Sequence, residues 1–471
     1  MFAIAATLRI LSGWCRDSWC GGSKEVGCDW AMALKYLLIL ALVGAVAADN
    51  HDLYKGNSVH GIKLRDQADQ KVLYDLQLEL GADVWRHGLP GQRDARVMVT
   101  PENLREFLDE LDKRGIEHYV HLNDVSKALE EEDKEIARWM STRSNRMIFQ
   151  GYQRYSEIDS YLETIAARHP NLATVVTAGK SFEGRDIKYL KISSSNFNDP
   201  SKPIIFMTAM LHAREWVTTP VTLYSIHRLV DNLRYEDTDL LQDVDWIIMP
   251  LVNPDGYEYT HTDNRLWRKT RSYYPALNDT CYGVDGNRNF DVFWNQFGVS
   301  PDPCSDVYAG PDAFSEVETQ YVRDILREYV PRIQIFMDIH SYGNYLLFCF
   351  ADTSLPDDAA QIHQVGAAMG AVIDTRKLEK ADYYLVGNSA SVLYAASGAA
   401  DDYAQITGVP FSYTFELPGY EYDFRVPPEY VDQINEETWH GIAAAGRLAK
   451  LYYASRYVPA PPAPAPPAPA P

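Results

Sequence analysis

The sequence predicts two α/β units in tandem: a small α/β sandwich over about residues 49–143, then one large α/β domain over 144–456, a mixed and mostly parallel sheet flanked by helices. Three observations carry this reading. At 471 residues the chain exceeds one ordinary domain. Strand-like and helical patterns alternate in both parts. Several strand-like runs of the second part are almost continuously apolar, as expected where helices cover both faces of a sheet. Hydrophobic residues at 46% supply enough core to exclude global disorder. The formal charge of -21 argues against a nucleic-acid partner, because phosphate binding needs a basic surface.

From the N-terminus, residues 37–48 (LLILALVGAVAA) form an apolar run of roughly a dozen residues, short of the ~20 that a spanning helix needs. Lys35 precedes it and Ala45, Ala47 and Ala48 close it, so residues 32–48 read as a cleaved signal peptide and the protein as secreted, with no membrane span. Met32 then marks the expected start, and residues 1–31, with Cys15, Cys20 and Cys28, an upstream extension; a genuine cysteine-bearing leader is the alternative. The first unit runs strand VHGIKL, helix QKVLYDLQLEL, strand RVMV, helix PENLREFLDELDKRG with Thr100 as its cap and Pro101 in its first turn, and strand IEHYVHL. It holds no cluster of catalytic residue types. The charged stretch EEEDKEIARWMSTRSNR follows as a connector. Its Arg143 and Arg146 sit among Ser, Thr and Asn, which reads equally as a plain linker and as a segment cut by a trypsin-like protease.

The second unit offers strands IKYLKI, PIIFMTAM, VDWIIMPL, RIQIFMDI, YLLFCF and PFSYTFEL. Between them one helix is expected from Ser315, with Glu318 completing a capping box, and a long helix closes the unit at 428–456. Residues 457–471 are a proline/alanine string that forms neither helix nor sheet. Cys281 and Cys304 lie in loop-like sequence and are expected to pair, leaving Cys349, inside LLFCF, as a buried thiol. The sequon at Asn278 falls on the same loop.

Strand PIIFMTAM leads straight into His212 and Glu215, and RIQIFMDI ends at His340. Two histidines and a glutamate from adjacent strand ends make a three-ligand zinc site, one ion per chain, with a fourth position open to water. Alone, HxxE is more often a surface pair at a helix start.

The ordered motifs HAREW, NRLWRKTRS, GVDGNRNF, DIHSYG and FSYTFEL resemble the pancreatic-type carboxypeptidase A and B family, the funnelins, from about Tyr152 to the final helix, and the preceding unit resembles that family's activation segment. The resemblance implies a zymogen, activated by a trypsin-like protease, that removes the last residue of peptides and proteins. Residue by residue it makes His212, Glu215 and His340 the zinc ligands, Glu416 the general base and Arg268 the oxyanion stabiliser. Asn287 and Arg288 match the pair that binds the terminal carboxylate, Tyr394 the tyrosine that closes over it, and Arg214, Tyr342 and Phe424 further cleft residues. Asp285 is expected to orient His212. The position that sets specificity lies seven residues after Tyr394 and fifteen before Glu416, which both counts place at Asp401. A carboxylate there resembles the B-type enzymes, which take C-terminal Lys or Arg; an A-type preference for aromatic or aliphatic ends is the alternative, with Asp401 turned away. Ser389 and Ala351 match neither type cleanly. The sequence Leu417-Pro418-Gly419 departs from the family pattern and shortens that loop by one residue. A non-catalytic binding relative would lack Glu416 or Arg268, which are both present. A non-peptide acyl amide as substrate fits less well with Asn287, Arg288 and Tyr394 together.

Overall fold

A computed structural model describes residues 51–142 and 146–456; the upstream extension, the signal segment, Arg143 and the proline-rich tail lie outside these residues. The first sheet is antiparallel throughout, with β1 (Ser58–Ile62), β2 (Asp83–Arg86), β3 (Ala95–Val99) and β4 (His118–Leu122) in the order β2-β3-β1-β4. Because side chains alternate along a strand, the sheet has two distinct faces. Ile62 and Val97 pack with Leu73, Leu76, Phe107 and Leu111 of the helices Gln67–Leu80 and Leu104–Lys113. Val59, Trp85 and Met98 pack instead with Val125 and Leu129, and with Leu266, Tyr342 and Phe424 of the second unit. The small sheet therefore lies with one face against the large domain.

The second sheet contains β5 (Ala173–Lys180), β6 (Asp186–Ile192), β7 (Ile204–Ala209), β8 (Asp245–Met249), β9 (Ile333–Ser341), β10 (Tyr345–Phe348), β11 (Leu385–Asn388) and β12 (Phe411–Leu417), in the order β11-β10-β12-β9-β7-β8-β6-β5. Its centre, β12-β9-β7-β8, is parallel, while β10 meets β12, and β6 meets β8 and β5, antiparallel. Strands β7 and β9 are buried along their whole length. Ile205 and Met207 face a core built with the helices Thr218–Val230, Ala359–Asp374 and Val431–Arg456. Ile204 and Phe206 face a second core with Val317–Tyr329 and Ala400–Ile406. Two helical layers over one sheet account for the near-continuous apolar runs. Among the described residues no helix is long and apolar enough to cross a membrane.

The structure corrects several sequence expectations. The charged connector is the helix Val125–Thr142. Its Val125, Leu129 and Trp139 recur at helical spacing and are buried, a periodicity hidden by the acidic run between them. Thr100 does not cap with its side chain: its carbonyl accepts from Asn103 and Leu104, and the helix begins at Leu104. Ser315 forms no capping box either. Its hydroxyl accepts from Asn289 Nδ2 (2.9 Å), and Asn289 Oδ1 takes the Glu316 amide (3.1 Å), so a residue from a distant loop holds the chain just ahead of the helix Val317–Tyr329. Glu318 is instead buried, and burial together with Glu316 pushes its carboxyl well up. Strands β2, β5 and β11 lie outside the expected set. Cys281 and Cys304 are bonded across 23 residues with Cα atoms 5.1 Å apart, and Cys349 is a buried free thiol.

Candidate active site

The parallel register of the central strands builds the site. On β9, Asp338 and His340 are two residues apart and share a face; across the sheet Thr208 of β7 lies opposite Asp338, and Glu416 of β12 lies opposite His340. The turn after β7 returns His212 and Glu215 to the same end of the sheet, just ahead of the helix Thr218–Val230. Ligand sites of open α/β sheets form at this carboxyl end of the strands.

There His212 Nδ1 lies 2.8 Å from Glu215 Oε1, and His340 Nδ1 lies 3.0 Å from Glu215 Oε2 and 3.1 Å from His212 Nδ1. These three residues are the group among the described residues whose ligand atoms converge closely enough to hold a metal ion. The second ring nitrogens settle the donor set. His212 Nε2 donates to Asp285 Oδ1 (3.0 Å) and His340 Nε2 to Asp338 Oδ2 (2.7 Å). With the far nitrogen of each ring held by a carboxylate, Nδ1 is the atom left to face Glu215, the arrangement in which two imidazoles can ligate a metal. The set fits zinc, with two nitrogens and one carboxylate.

Burial pushes the Glu416 carboxyl up to about 8, with the Glu215 charge adding to the effect, and its Oε2 has no partner in the protein. Burial works against ionisation of Asp285 too, but Arg268 and His212 outweigh it and hold Asp285 well below the usual carboxylate range. Arg268 Nε and Nη2 bind Asp285 Oδ2 (3.1 and 2.9 Å), which fixes the guanidinium beside Glu215.

One cavity of about 120 Å³ is lined by His212, Arg214, Glu215, Arg268, Asn287, Arg288, His340, Tyr342, Tyr394, Asp401, Glu416 and Phe424, so every cleft residue expected from the sequence borders a single space. Asp285 stands behind its wall. Arg288 directs Nη1 to the Asn287 carbonyl (2.7 Å), Nε to the Gly298 carbonyl (3.0 Å) and Nη2 to the Tyr394 hydroxyl. Gly398 lets the following turn lie against Arg288: its φ is +76° and a Cβ there would meet the Arg288 carbonyl oxygen at 2.2 Å. Asp401 faces the cavity rather than away from it, 2% exposed, with Oδ2 unpartnered. Burial and the Asp338 charge push its carboxyl up to about 6. The walls near it are apolar, from Leu347, Ala351, Ala396 and Ala399, and the Ser389 hydroxyl is turned to the Phe348 carbonyl (3.1 Å).

Four residues in or behind the cleft escaped the sequence reading. Asp338 is the first, although its D-x-H spacing on a strand places it beside His340. The others come from β2 and the residue after it. Asp83 binds Arg214 through both oxygens (2.7 and 2.9 Å), Trp85 meets Phe424 edge-on with centroids 5.6 Å apart, and His87 lies 4.1 Å from the Tyr394 ring. Burial, then Arg288 and Arg268, lower the His87 pKa to about 3, so this imidazole enters the cleft neutral. Of the two connector arginines, Arg146 is described, with its guanidinium 5.0 Å from the Trp139 ring.

Purified protein is expected to hold about one zinc per chain, as a three-ligand site requires. Metal analysis after gel filtration checks this, and His340→Ala should bring the content close to zero. Saturating zinc should also raise the unfolding midpoint, by an amount equivalent to about 2.7 kcal/mol at a hundredfold excess over Kd.

Comparison with known proteins agrees with this geometry. Residues 158–441 match the zinc carboxypeptidase family, and residues 61–132 match the carboxypeptidase activation peptide. Carboxypeptidase B of Helicoverpa zea is 43% identical over 427 residues, covering 88% of this chain and 99% of that protein. Mouse carboxypeptidase A2 is 32% identical over 413 residues, covering 86% of this chain and 96% of that one. The crystal structure of carboxypeptidase A from Helicoverpa armigera superposes with a TM-score of 0.82 at 40% identity, covering 85% of this chain and 99% of that chain. Both A and B names occur among these relatives, so the names leave the pocket preference open. The chain belongs to the zinc carboxypeptidase family and is a zinc metallocarboxypeptidase that carries an activation peptide.

Proposed function

We propose that the protein is exported as a zymogen and that, once its activation segment (49–143) is cut off, the domain 144–456 hydrolyses the last peptide bond of substrates ending in Lys or Arg. The observation that carries the preference is Asp401, a buried carboxylate with an unpartnered oxygen in the same cavity as Glu416, Arg288 and the His212, Glu215, His340 triad. A cationic side chain reaching Asp401 would gain the charge partner the free enzyme lacks, while an apolar one would leave that charge uncompensated. The apolar walls suit the aliphatic stem of Lys or Arg.

When bound, zinc supplies Lewis acidity: it polarises the scissile carbonyl and lowers the pKa of water towards ~7. Glu416, opposite His340 on the neighbouring strand, takes the proton from the attacking water and passes it to the leaving amine. Arg268, held in plane by Asp285, stabilises charge on the tetrahedral oxygen. Arg288, with Asn287, receives the terminal carboxylate. The Tyr394 hydroxyl, already on Arg288, closes over it.

Latency is supported by Asp83, Trp85 and His87, which occupy Arg214, Phe424 and the ring of Tyr394. A trypsin-like cut at Arg143 or Arg146 would sever the chain between the two units. Export is supported by the short apolar segment at 37–48 and by the Cys281–Cys304 bond, which needs an oxidising compartment.

Glu416→Gln should retain zinc and lose turnover by about 10²–10⁴-fold, since only the proton acceptor is gone; unchanged kcat would remove Glu416 from the chemistry. For the pocket, Lys and Arg substrates should exceed Phe and Leu by about a hundredfold in kcat/KM, and Asp401→Ile should reverse the order. Wild-type preference for aromatic or aliphatic ends would refute the role of Asp401. The sign of the linked pH effect is fixed. The folded pKa of about 6 exceeds the ordinary 3.8, so the folded state binds this proton more tightly and loses stability as pH rises between them. Asp401→Asn should therefore be more stable than wild type above pH 6 in denaturant melts, and the gap should close towards pH 4. For latency, the intact chain should turn over small substrates at a minor fraction of the mature rate. Asp83→Ala should raise that basal rate, and N-terminal sequencing after trypsin should begin at Ser144 or Met147. An intact chain working at the mature rate would show that the segment does not inhibit.

A further inference from the structure

We infer that Asp338 is a positioning residue for the metal: anchored by Thr208, it locks His340 in the one tautomer and orientation that can ligate zinc. The inference rests on His212, Glu215 and His340 being the metal site, and adds a residue that acts through His340.

Three features support it. Asp338 and His340 occupy the same face of β9, and the carboxylate accepts from His340 Nε2 at 2.7 Å with both side chains 1% exposed. The other oxygen is also held. Thr208, opposite Asp338 on β7, donates its hydroxyl to Oδ1 at 2.6 Å, so the carboxylate plane is set by two elements of the sheet rather than by the imidazole alone. Finally, the ring's remaining nitrogen, Nδ1, is the one that faces Glu215 and His212. A neutral imidazole carries its proton on one nitrogen. If Asp338 did not claim it at Nε2, the competing tautomer would aim an N–H at Glu215 and block the position a metal must take. Asp338 also differs from Asp285, the carboxylate behind His212. Asp285 is paired with Arg268, whereas among the described residues Asp338 has no lysine or arginine within salt-bridge distance. Its buried charge is therefore balanced only through His340 and whatever cation His340 binds. Held from behind by Asp338, the imidazole keeps Nδ1 aimed at the metal position, and such a partner raises the affinity of a histidine ligand for the cation.

The test measures zinc affinity of the full-length protein by competition with a chromophoric chelator, together with apo-protein melting. Asp338→Ala should weaken zinc binding by about 10–100-fold, and Asp338→Asn, which keeps the shape and loses the charge, by at least about fivefold. A purely structural part would lower apo stability and leave affinity alone; here Asp338→Asn should keep or raise the apo melting temperature. In ¹⁵N-histidine-labelled, zinc-loaded protein the His340 Nε2 proton should be protected from exchange and lost in Asp338→Ala, while that of His212 persists. Affinity within twofold of wild type in Asp338→Asn, or in Asp338→Ala where that variant folds, overturns the inference. Failure of wild type itself to bind zinc overturns the metal site beneath it, which is a separate result.

Discussion

The parallel pairing of β7, β9 and β12 is the constraint on which the catalytic apparatus hangs. Because these strands end side by side, Thr208 faces Asp338 and His340 faces Glu416 with no loop between them. A slip of β9 by one residue would turn Asp338 and His340 together to the opposite face, away from Thr208 and Glu416. Such a slip would also swap Phe336 and Met337 between the two cores, so burial on both faces of the sheet protects the register of the site. Geometry at the active end is thus maintained by hydrophobic packing along strands far longer than the site itself.

That rigidity permits an unusual density of buried charge. Glu215, Asp285, Asp338, Asp401 and Glu416 lie close together, and taking carboxylates out of water costs several kcal/mol each unless they are paired. Asp285 has Arg268 and His212, Asp338 has His340 and Thr208, and the neighbouring Asp402 accepts the Ala351 amide. Glu215 and the Nδ1 atoms of His212 and His340 converge on the position a metal ion would take. Asp402 Oδ1 is unpartnered outside the cavity, and of the carboxylates that line the cavity Asp401 and Glu416 have an unpartnered oxygen each. These two are the groups for which the proposed chemistry supplies a partner from outside, a cationic side chain for one and a proton for the other. Buried groups left unsatisfied in an otherwise well-compensated site are where binding energy is available.

Legibility in the sequence followed the kind of signal each feature leaves. Long apolar strands such as β7, β9 and β12 are visible because burial on both faces demands an unbroken run of large side chains. The ligands at their ends are visible because HAREW and DIHSYG sit at fixed distances from those runs. Strand β2 is short, with two charged ends and two buried residues, and a run of four cannot display a period. The helix Val125–Thr142 was masked by its own acids, one of which, Glu132, is buried against Arg265 (2.9 and 3.0 Å) rather than solvated. Composition alone cannot distinguish a solvated glutamate from one that has a partner 133 residues away. The expected Ser315–Glu318 capping box of Val317–Tyr329 failed for the same reason: the local motif was adequate, but the contact of Asn289 with Ser315 and Glu316 displaced it. Asp338 was legible from its spacing to His340, yet only the hydrogen bond identifies what it does.

The contacts of the small sheet reuse the side chains that a substrate would need. Arg214 takes the Asp83 carboxylate, Phe424 takes the Trp85 ring and Tyr394 takes His87, so on the proposed reading segment and substrate compete for the same groups. While the chain is intact this competition is intramolecular, at an effective concentration that can reach the millimolar range. Peptides at ordinary concentrations cannot match that. The helix Val125–Thr142 adds a second hold through Glu132 on Arg265, whose guanidinium also lies 3.7 Å from the Trp216 ring, one face of the domain behind the metal ligands. A cut beyond Thr142 breaks none of these contacts. It changes only their molecularity, from a tethered equilibrium to one that dilution can pull apart. On the proposed reading, activation by a cut in the connector then depends on dissociation of the severed segment, which the buried Glu132–Arg265 pair opposes.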